Sequence, residues 1–143
     1  MELWQLTARE EIRDLVTRYN SNGDSGRFAH VMELFAGDAV MELRDRLYTG
    51  HAEIITIFTG AQQQIRSGES PAYVRHYTAT HQIDLIDHDT ATGRLYYAVV
   101  SPIGLDHWGR YIDDYRCVDG QWRFARRRVT VDGQAADSVM GRG

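Results

Sequence analysis

The sequence predicts an α+β domain in which three N-terminal helices pack on a strongly curved, mostly antiparallel sheet. Three observations point there. Apolar residues recur at helical spacing in three stretches before Pro71, strand-like patterns fill the chain after it, and Asp119-Gly120 marks a tight hairpin between the last two strands. Such a sheet can curl around the helices and leave an apolar pocket between the two layers.

The first helix is read from Thr7 and Glu10, which match a capping box, and from the stripe Ile12, Leu15, Val16 and Tyr19. Asn22-Gly23 is its expected stop. Asp24 or Ser25 can cap a second helix with the stripe Phe28, Val31, Met32 and Phe35, ended by Gly37-Asp38. Val40–Leu43 is the first expected strand, followed by a charged turn at Arg44-Asp45-Arg46. A third helix follows Gly50, with Ile54, Ile57, Phe58, Ala61 and Ile65 on one face, and a polar loop spans Ser67–Pro71.

The segment Tyr73–Asp87 is strand-like, but its phase slips: Val74, His76 and Thr78 share one parity, Ile83 and Leu85 the other. A bulge near Ala79–Gln82 reconciles them. Thr92–Ser101 carries unbroken apolar character from Leu95 to Val100, as expected where both faces are covered. Arg110–Val118 and Gln121–Val131 complete the sheet. The core is expected over residues 6–131 of one domain, 1–143, with a tail frayed from Asp132 onward.

Composition narrows the chemistry. With 143 residues, 43% of them hydrophobic and 25% charged, the chain suits one folded domain rather than a disordered segment. All 16 basic residues are Arg. Schiff-base chemistry and a P-loop need a lysine amine and are excluded. Cys117 is the single cysteine, so no intrachain disulfide and no CxxC pair exists. The net charge of −4 argues against nucleic acid as a partner. The amino terminus is charged too early for a signal peptide, and no apolar run is long enough to cross a bilayer, so a cytoplasmic location is expected.

Four stretches together, EIRDLVTRYNSNGDSGRF, ELFAGDAVMEL, VRHYTATHQIDLIDHDTATGR and GRYIDDYRCVDGQWRFARRRV, resemble the SnoaL-like branch of the NTF2-like superfamily. The resemblance implies a cone opening onto a hydrophobic cavity. Relatives include scytalone dehydratase, bile acid 7α-dehydratase, lindane dehydrochlorinase, polyketide cyclases and ketosteroid isomerase. Beta subunits of ring-hydroxylating dioxygenases share the fold without the chemistry. The family therefore constrains the pocket better than the reaction.

By this resemblance, Asp24 lies where the dehydratases and the dehydrochlorinase place a catalytic Asp, and His76 falls on their catalytic His. Tyr19 matches the bile acid dehydratase tyrosine, and Arg127 matches the dehydrochlorinase's active-site arginine. Leu43 stands where ketosteroid isomerases keep a general-base Asp. Val99 stands where the bile acid dehydratase has its second carboxylate. Both departures count against direct copies of those enzymes.

Each position also has a plainer reading. Asp24 suits a helix cap, His76 a half-buried strand, and Tyr19 core packing. Arg126-Arg127-Arg128 is usually a solvated strand end, although alternation puts Arg127 in phase with Ala125 and Val129. Pointing inward, it would hold a leaving group or a developing oxyanion. His76 and His81 are five residues apart, on opposite faces of a regular strand, and the other histidines show no ligand-like spacing, so no metal is expected.

The expected function is a cofactor-free enzyme in which a His-Asp pair performs general acid/base chemistry. Elimination or addition of water comes first, then an allied cyclisation or isomerisation, on a small hydrophobic polyketide-, steroid- or terpenoid-like molecule. The alternative is a non-catalytic binder of hydrophobic ligands or a small subunit of a ring-hydroxylating oxygenase. The two-faced apolar run Leu95–Val100 further predicts a homo-oligomer, a dimer or trimer, built on the outer face of the sheet.

Overall fold

Helix α1 spans Leu3–Asp24 and buries Ala8, Ile12, Leu15, Val16 and Tyr19, the stripe legible in the sequence. Coordinates come from a computed structural model that describes residues 1–66 and 72–141; the loop expected at Ser67–Pro71 lies outside them. The start of α1 differs from expectation. Gln5 Oε1 accepts the Glu2 N–H at 2.7 Å, whereas the Thr7 hydroxyl donates back to the Leu3 carbonyl at 3.0 Å. The helix also runs through Asn22-Gly23 to Asp24, because Gly23 can pack on Phe58 without ending the helix, at 3.5 Å from where a Cβ would stand.

Arg27 occupies the N-cap position of helix α2, Phe28–Glu33, without a side-chain cap hydrogen bond, so neither Asp24 nor Ser25 serves as its N-cap. It stops before Phe35, which opens strand β1, Phe35–Leu43. Gly37 and Asp38 therefore sit inside a strand rather than at a helix end. After the left-handed Arg44-Asp45 turn, a short strand β2, Arg46–Thr49, pairs back on β1. Helix α3 covers His51–Arg66.

Strands β3 (Arg75–Leu85), β4 (Thr90–Ser101), β5 (Gly104–Val118) and β6 (Gln121–Gln134) follow. The sheet order is β2-β1-β6-β5-β4-β3. Every pairing is antiparallel except β1 on β6, which is parallel. The expected bulge is present, since the β3–β4 register shifts between Ala79 and Gln82, with Thr80 at φ 56°. Asp119 and Gly120, at φ 51° and 79°, form the hairpin turn between β5 and β6.

The core fills the space between the helices and the concave face of the sheet. Strand β4 turns Leu95, Tyr97 and Val99 into it, while Tyr96 is 56% exposed on the outer face. The apolar run is thus covered on one side only within this chain. The tail is not frayed at Asp132. Strand β6 continues to Gln134, and Ser138 beyond it is buried.

The bulge turns His81 inward, where its Nε2 lies 3.0 Å from the Tyr115 hydroxyl. This corrects the expectation that His76 and His81 face opposite sides, which holds only for a regular strand. Burial lowers the His81 pKa from 6.5 to about 4. The fold favours the neutral ring, so its contribution to stability is complete above pH 6.5 and is lost as the pH falls towards 4. Unfolding free energy measured across that window should fall with acid, and His81→Gln should flatten the slope. An unchanged slope would refute the assignment.

Candidate active site

At the carboxyl end of α1, Asp24 meets the start of β3. Its Oδ2 accepts the backbone N–H of His76 at 2.8 Å, and its Oδ1 lies 2.6 Å from His76 Nδ1. Two bonds from one carboxylate hold both the strand and the ring. With Nδ1–H directed at the carboxylate, Nε2 carries the free lone pair, and it has no protein partner among the described residues. The pair is only partly covered, with 23% of the His76 side chain and 12% of that of Asp24 exposed. It opens onto a cavity of about 540 Å³ between α1, α3 and the sheet.

The walls of this cavity are mostly apolar. Met41, Ile57, Phe58, Val129 and Met140 contribute, and Tyr97 stacks on Tyr111 at 4.6 Å. Tyr19 also lines it, 5% exposed, with its ring packed edge-on against Phe58, Tyr111 and Phe124. Burial pushes its phenol up to about 12, only partly offset by the nearby Arg127 guanidinium. At neutral pH it is a proton-bearing donor. Its packing is therefore observed, and its hydroxyl keeps its proton within the lining of the cavity.

Arg127 does point inward, but it lies behind the wall and does not line the cavity. It is fully buried, with Nε and Nη2 donating to the two oxygens of Asp113 at 2.8 and 2.7 Å. Its guanidinium carbon sits 4.3 Å over the Tyr19 ring and 3.9 Å over Tyr111. The reason is register: Asp113 faces Arg127 directly across the β5–β6 ladder, so the cation is neutralised inside the core. The guanidinium thus stacks behind Tyr19 instead of entering the cavity lining for the expected direct grip on a leaving group.

A second His-Asp pair escaped the sequence reading. His107 lines the same cavity, and its Nδ1 lies 2.8 Å from Asp106 Oδ1. Asp106 is fully buried and heavily bonded. It accepts the Ser101 hydroxyl at 2.5 Å, the Ser138 hydroxyl, and the Val139 N–H at 3.1 Å. Burial alone would raise this carboxyl, but the bonds from Ser101, Ser138 and His107 hold it at about 2. Burial also lowers the His107 pKa, against the opposing pull of Asp106. The neighbouring dipeptide gave no signal, because adjacent strand residues should face opposite sides. A register shift between Val99 and Val100 makes Asp106 the extra residue and removes that constraint.

Among the described residues, no group of three or more His, Cys, Asp or Glu is placed to hold a metal ion, and no helix is long and apolar enough to cross a membrane.

The family model described as the SnoaL-like domain matches residues 4–128. The chain belongs to the SnoaL-like domain family. Among curated proteins, none matches it. Solved structures share the fold of this SnoaL-like domain. A candidate scytalone dehydratase from Novosphingobium aromaticivorans superposes with a TM-score of 0.82 at 20% identity, over 94% of this chain and 91% of that one. A type 2 hexachlorocyclohexane dehydrochlorinase, LinA, gives 0.78 at 16% identity, over 94% and 92%. An NTF2-like protein with a cystatin-like fold, also from N. aromaticivorans, gives 0.76 at 26% identity, over 92% and 87%. The SnoaL-like fold expected from the sequence is thereby established, as is the curved sheet of an α+β domain.

Proposed function

We propose that this SnoaL-like domain is a cofactor-free enzyme that eliminates or adds water, or carries out an allied cyclisation or isomerisation, on a small hydrophobic polyketide-, steroid- or terpenoid-like molecule. The observation that carries the reading is the Asp24–His76 bond at the wall of an apolar cavity. Two structural neighbours bear the names of elimination enzymes, which supports the same class. In the elimination direction, His76 Nε2 takes a proton from carbon beside an activating carbonyl. The C–H electron pair becomes a C=C bond and expels hydroxide, which leaves as water with the proton carried by the imidazolium. Asp24 fixes the tautomer and stabilises the charged ring, Tyr19 donates a hydrogen bond to the developing oxygen charge, and Arg127 holds Tyr19 in place.

The test is to extract the ligand that co-purifies in the cavity, identify it by mass spectrometry, and follow its conversion by the wild type and by His76→Ala. Equal rates would refute the reading. Co-purification with a larger iron-containing subunit would instead favour the small-subunit alternative.

The same proposal covers setting and assembly: one domain, 1–143, in the cytoplasm, forming a dimer or trimer through the outer sheet face. Tyr77, Tyr96 and Trp108 are 63%, 56% and 36% exposed there. Burying a few such side chains, at roughly 2 kcal/mol each, can offset the entropy lost on association. Sedimentation at micromolar concentration should give a multiple of 16.4 kDa, and a clean monomer would refute the oligomer.

A further inference from the structure

His76, Val99 and His107 occupy one cross-strand row, since His76 pairs with Val99 and Val99 with His107. On the concave face this row sets the two imidazoles on either side of a buried Val99, with ring centroids 6.4 Å apart and planes at 87°. Each ring is tied at Nδ1 to a carboxylate from outside the row, His76 to Asp24 and His107 to Asp106. Each leaves Nε2 without a protein partner among the described residues. Tyr97, whose ring lies 6.2 Å from His76 and 6.3 Å from His107, does not donate to either Nε2, because its single O–H proton goes to the Thr130 carbonyl at 2.8 Å.

We infer that His107 is a second proton acceptor of this cavity, held in one tautomer by Asp106, and that it takes the proton of a ligand hydroxyl adjacent to the position on which His76 acts. The inference rests on the reading of His76 given above and adds to it the chemical class of ligand. That ligand carries two neighbouring proton-bearing positions on a flat framework that fits the Tyr97–Tyr111 wall. The step balances simply. The O–H proton moves to His107 Nε2, its electron pair stays on oxygen, the Nδ1–H stays on the ring, and Asp106 remains an anion beside the new imidazolium.

The surroundings are built for that role. Asp106 is held by Ser101 from the end of β4, and by Ser138 and Val139 from the C-terminal segment, so its orientation is set from three sides. Burial, the neighbouring His76 and Arg44 all favour the neutral His107 ring over the charged one, and a neutral ring is the form able to accept a proton. A surface histidine with an incidental partner would have neither the fully buried carboxylate nor the shared cavity.

The experiment uses 4-nitrocatechol, with two adjacent hydroxyls, and 4-nitrophenol, with one. Both report ionisation through visible absorbance. Binding is measured with the wild type, His107→Gln and His76→Gln, and the ring nitrogens are followed by NMR in wild-type protein carrying 15N-histidine. The wild type should bind nitrocatechol at least about tenfold more tightly than nitrophenol, an advantage of one well-made hydrogen bond. His107→Gln should remove that advantage, and saturating nitrocatechol should move the His107 ring nitrogens towards the protonated state. Unmoved His107 signals, an unchanged preference in His107→Gln, or no binding by the wild type would each overturn the inference. The NMR arm needs no variant and so does not depend on His107→Gln folding. Loss of preference in His107→Gln, together with wild-type turnover of the cavity's ligand by His76→Gln, would uphold His107 as a proton acceptor of the cavity and overturn the His76 reading. The converse result would do the opposite.

Discussion

Asp24→Asn should lower turnover of the cavity's ligand by roughly two to four orders of magnitude while leaving the fold intact. The carboxylate makes two acceptor contacts with one residue, to the backbone N–H and to Nδ1 of His76. An amide has one carbonyl oxygen and one NH2 group. If the oxygen keeps the backbone N–H, the NH2 group faces Nδ1 and forces that nitrogen to accept. The ring proton then moves to Nε2, the atom that must take the substrate proton. The base is removed by a change of tautomer with almost no change of shape. Both contacts survive and only their charge assistance is lost, at about 1 kcal/mol, so thermal unfolding should shift by only a few degrees. Turnover within a factor of two of wild type would show that the pair is structural.

The largest effect on stability is expected at Asp113→Asn. Arg127 is fully buried, and both of its bonded nitrogens donate to Asp113. Neutralising the partner leaves a guanidinium in the core without a counter-charge, which costs about 3–5 kcal/mol. The Tyr115 hydroxyl donates to Asp113 Oδ2 at 2.7 Å, so the same change disturbs the link through Tyr115 to His81. Arg127→Met should cost a similar amount by stranding the carboxylate. The double variant Arg127→Met/Asp113→Leu should recover much of the loss, because removing both charges removes both desolvation penalties. Urea unfolding of wild type, Asp113→Leu, Arg127→Met and the double variant closes the cycle, with Asp113→Asn measured beside it. Single variants within 1 kcal/mol of wild type would mean that water reaches the pair. Because the guanidinium sits 4.3 Å over the Tyr19 ring, Arg127→Met should also loosen Tyr19.

Local pattern made much of the scaffold legible. The stripe from Ile12 to Tyr19, the apolar face of α3, the Asp119-Gly120 turn and the slip in β3 each depend on residues a few positions apart, so periodicity alone reveals them. The slip is instructive, since opposite parities at Val74–Thr78 and Ile83–Leu85 can share one core only if the strand carries an extra residue. For Arg127 alternation offered an inward position beside the reading of a solvated strand end, and the register shift opposite Asp114 and Tyr115 buries it together with Phe124. Resemblance to the family, rather than any local pattern, brought Asp24 and His76 together across 52 residues.

Tertiary structure decided the rest. Asp24 has the side chain of a helix cap, and only the docking of β3 against the end of α1 makes it the partner of His76. Phe35-Ala36-Gly37-Asp38 resembles a helix end, yet parallel pairing with β6 draws it into a strand, a contact no short window can contain. Arg127 was drawn behind the cavity wall by Asp113 through ladder register. Asp106-His107 became a second pair because a bulge let adjacent residues join the same site. The tail became part of the wall because Asp106 offered its N–H and hydroxyl donors a buried acceptor. Side-chain periodicity is set by neighbouring backbone and is written locally. Register, bulges and the partners of buried charges depend on which distant strands meet, and they are settled only when the chain closes on itself.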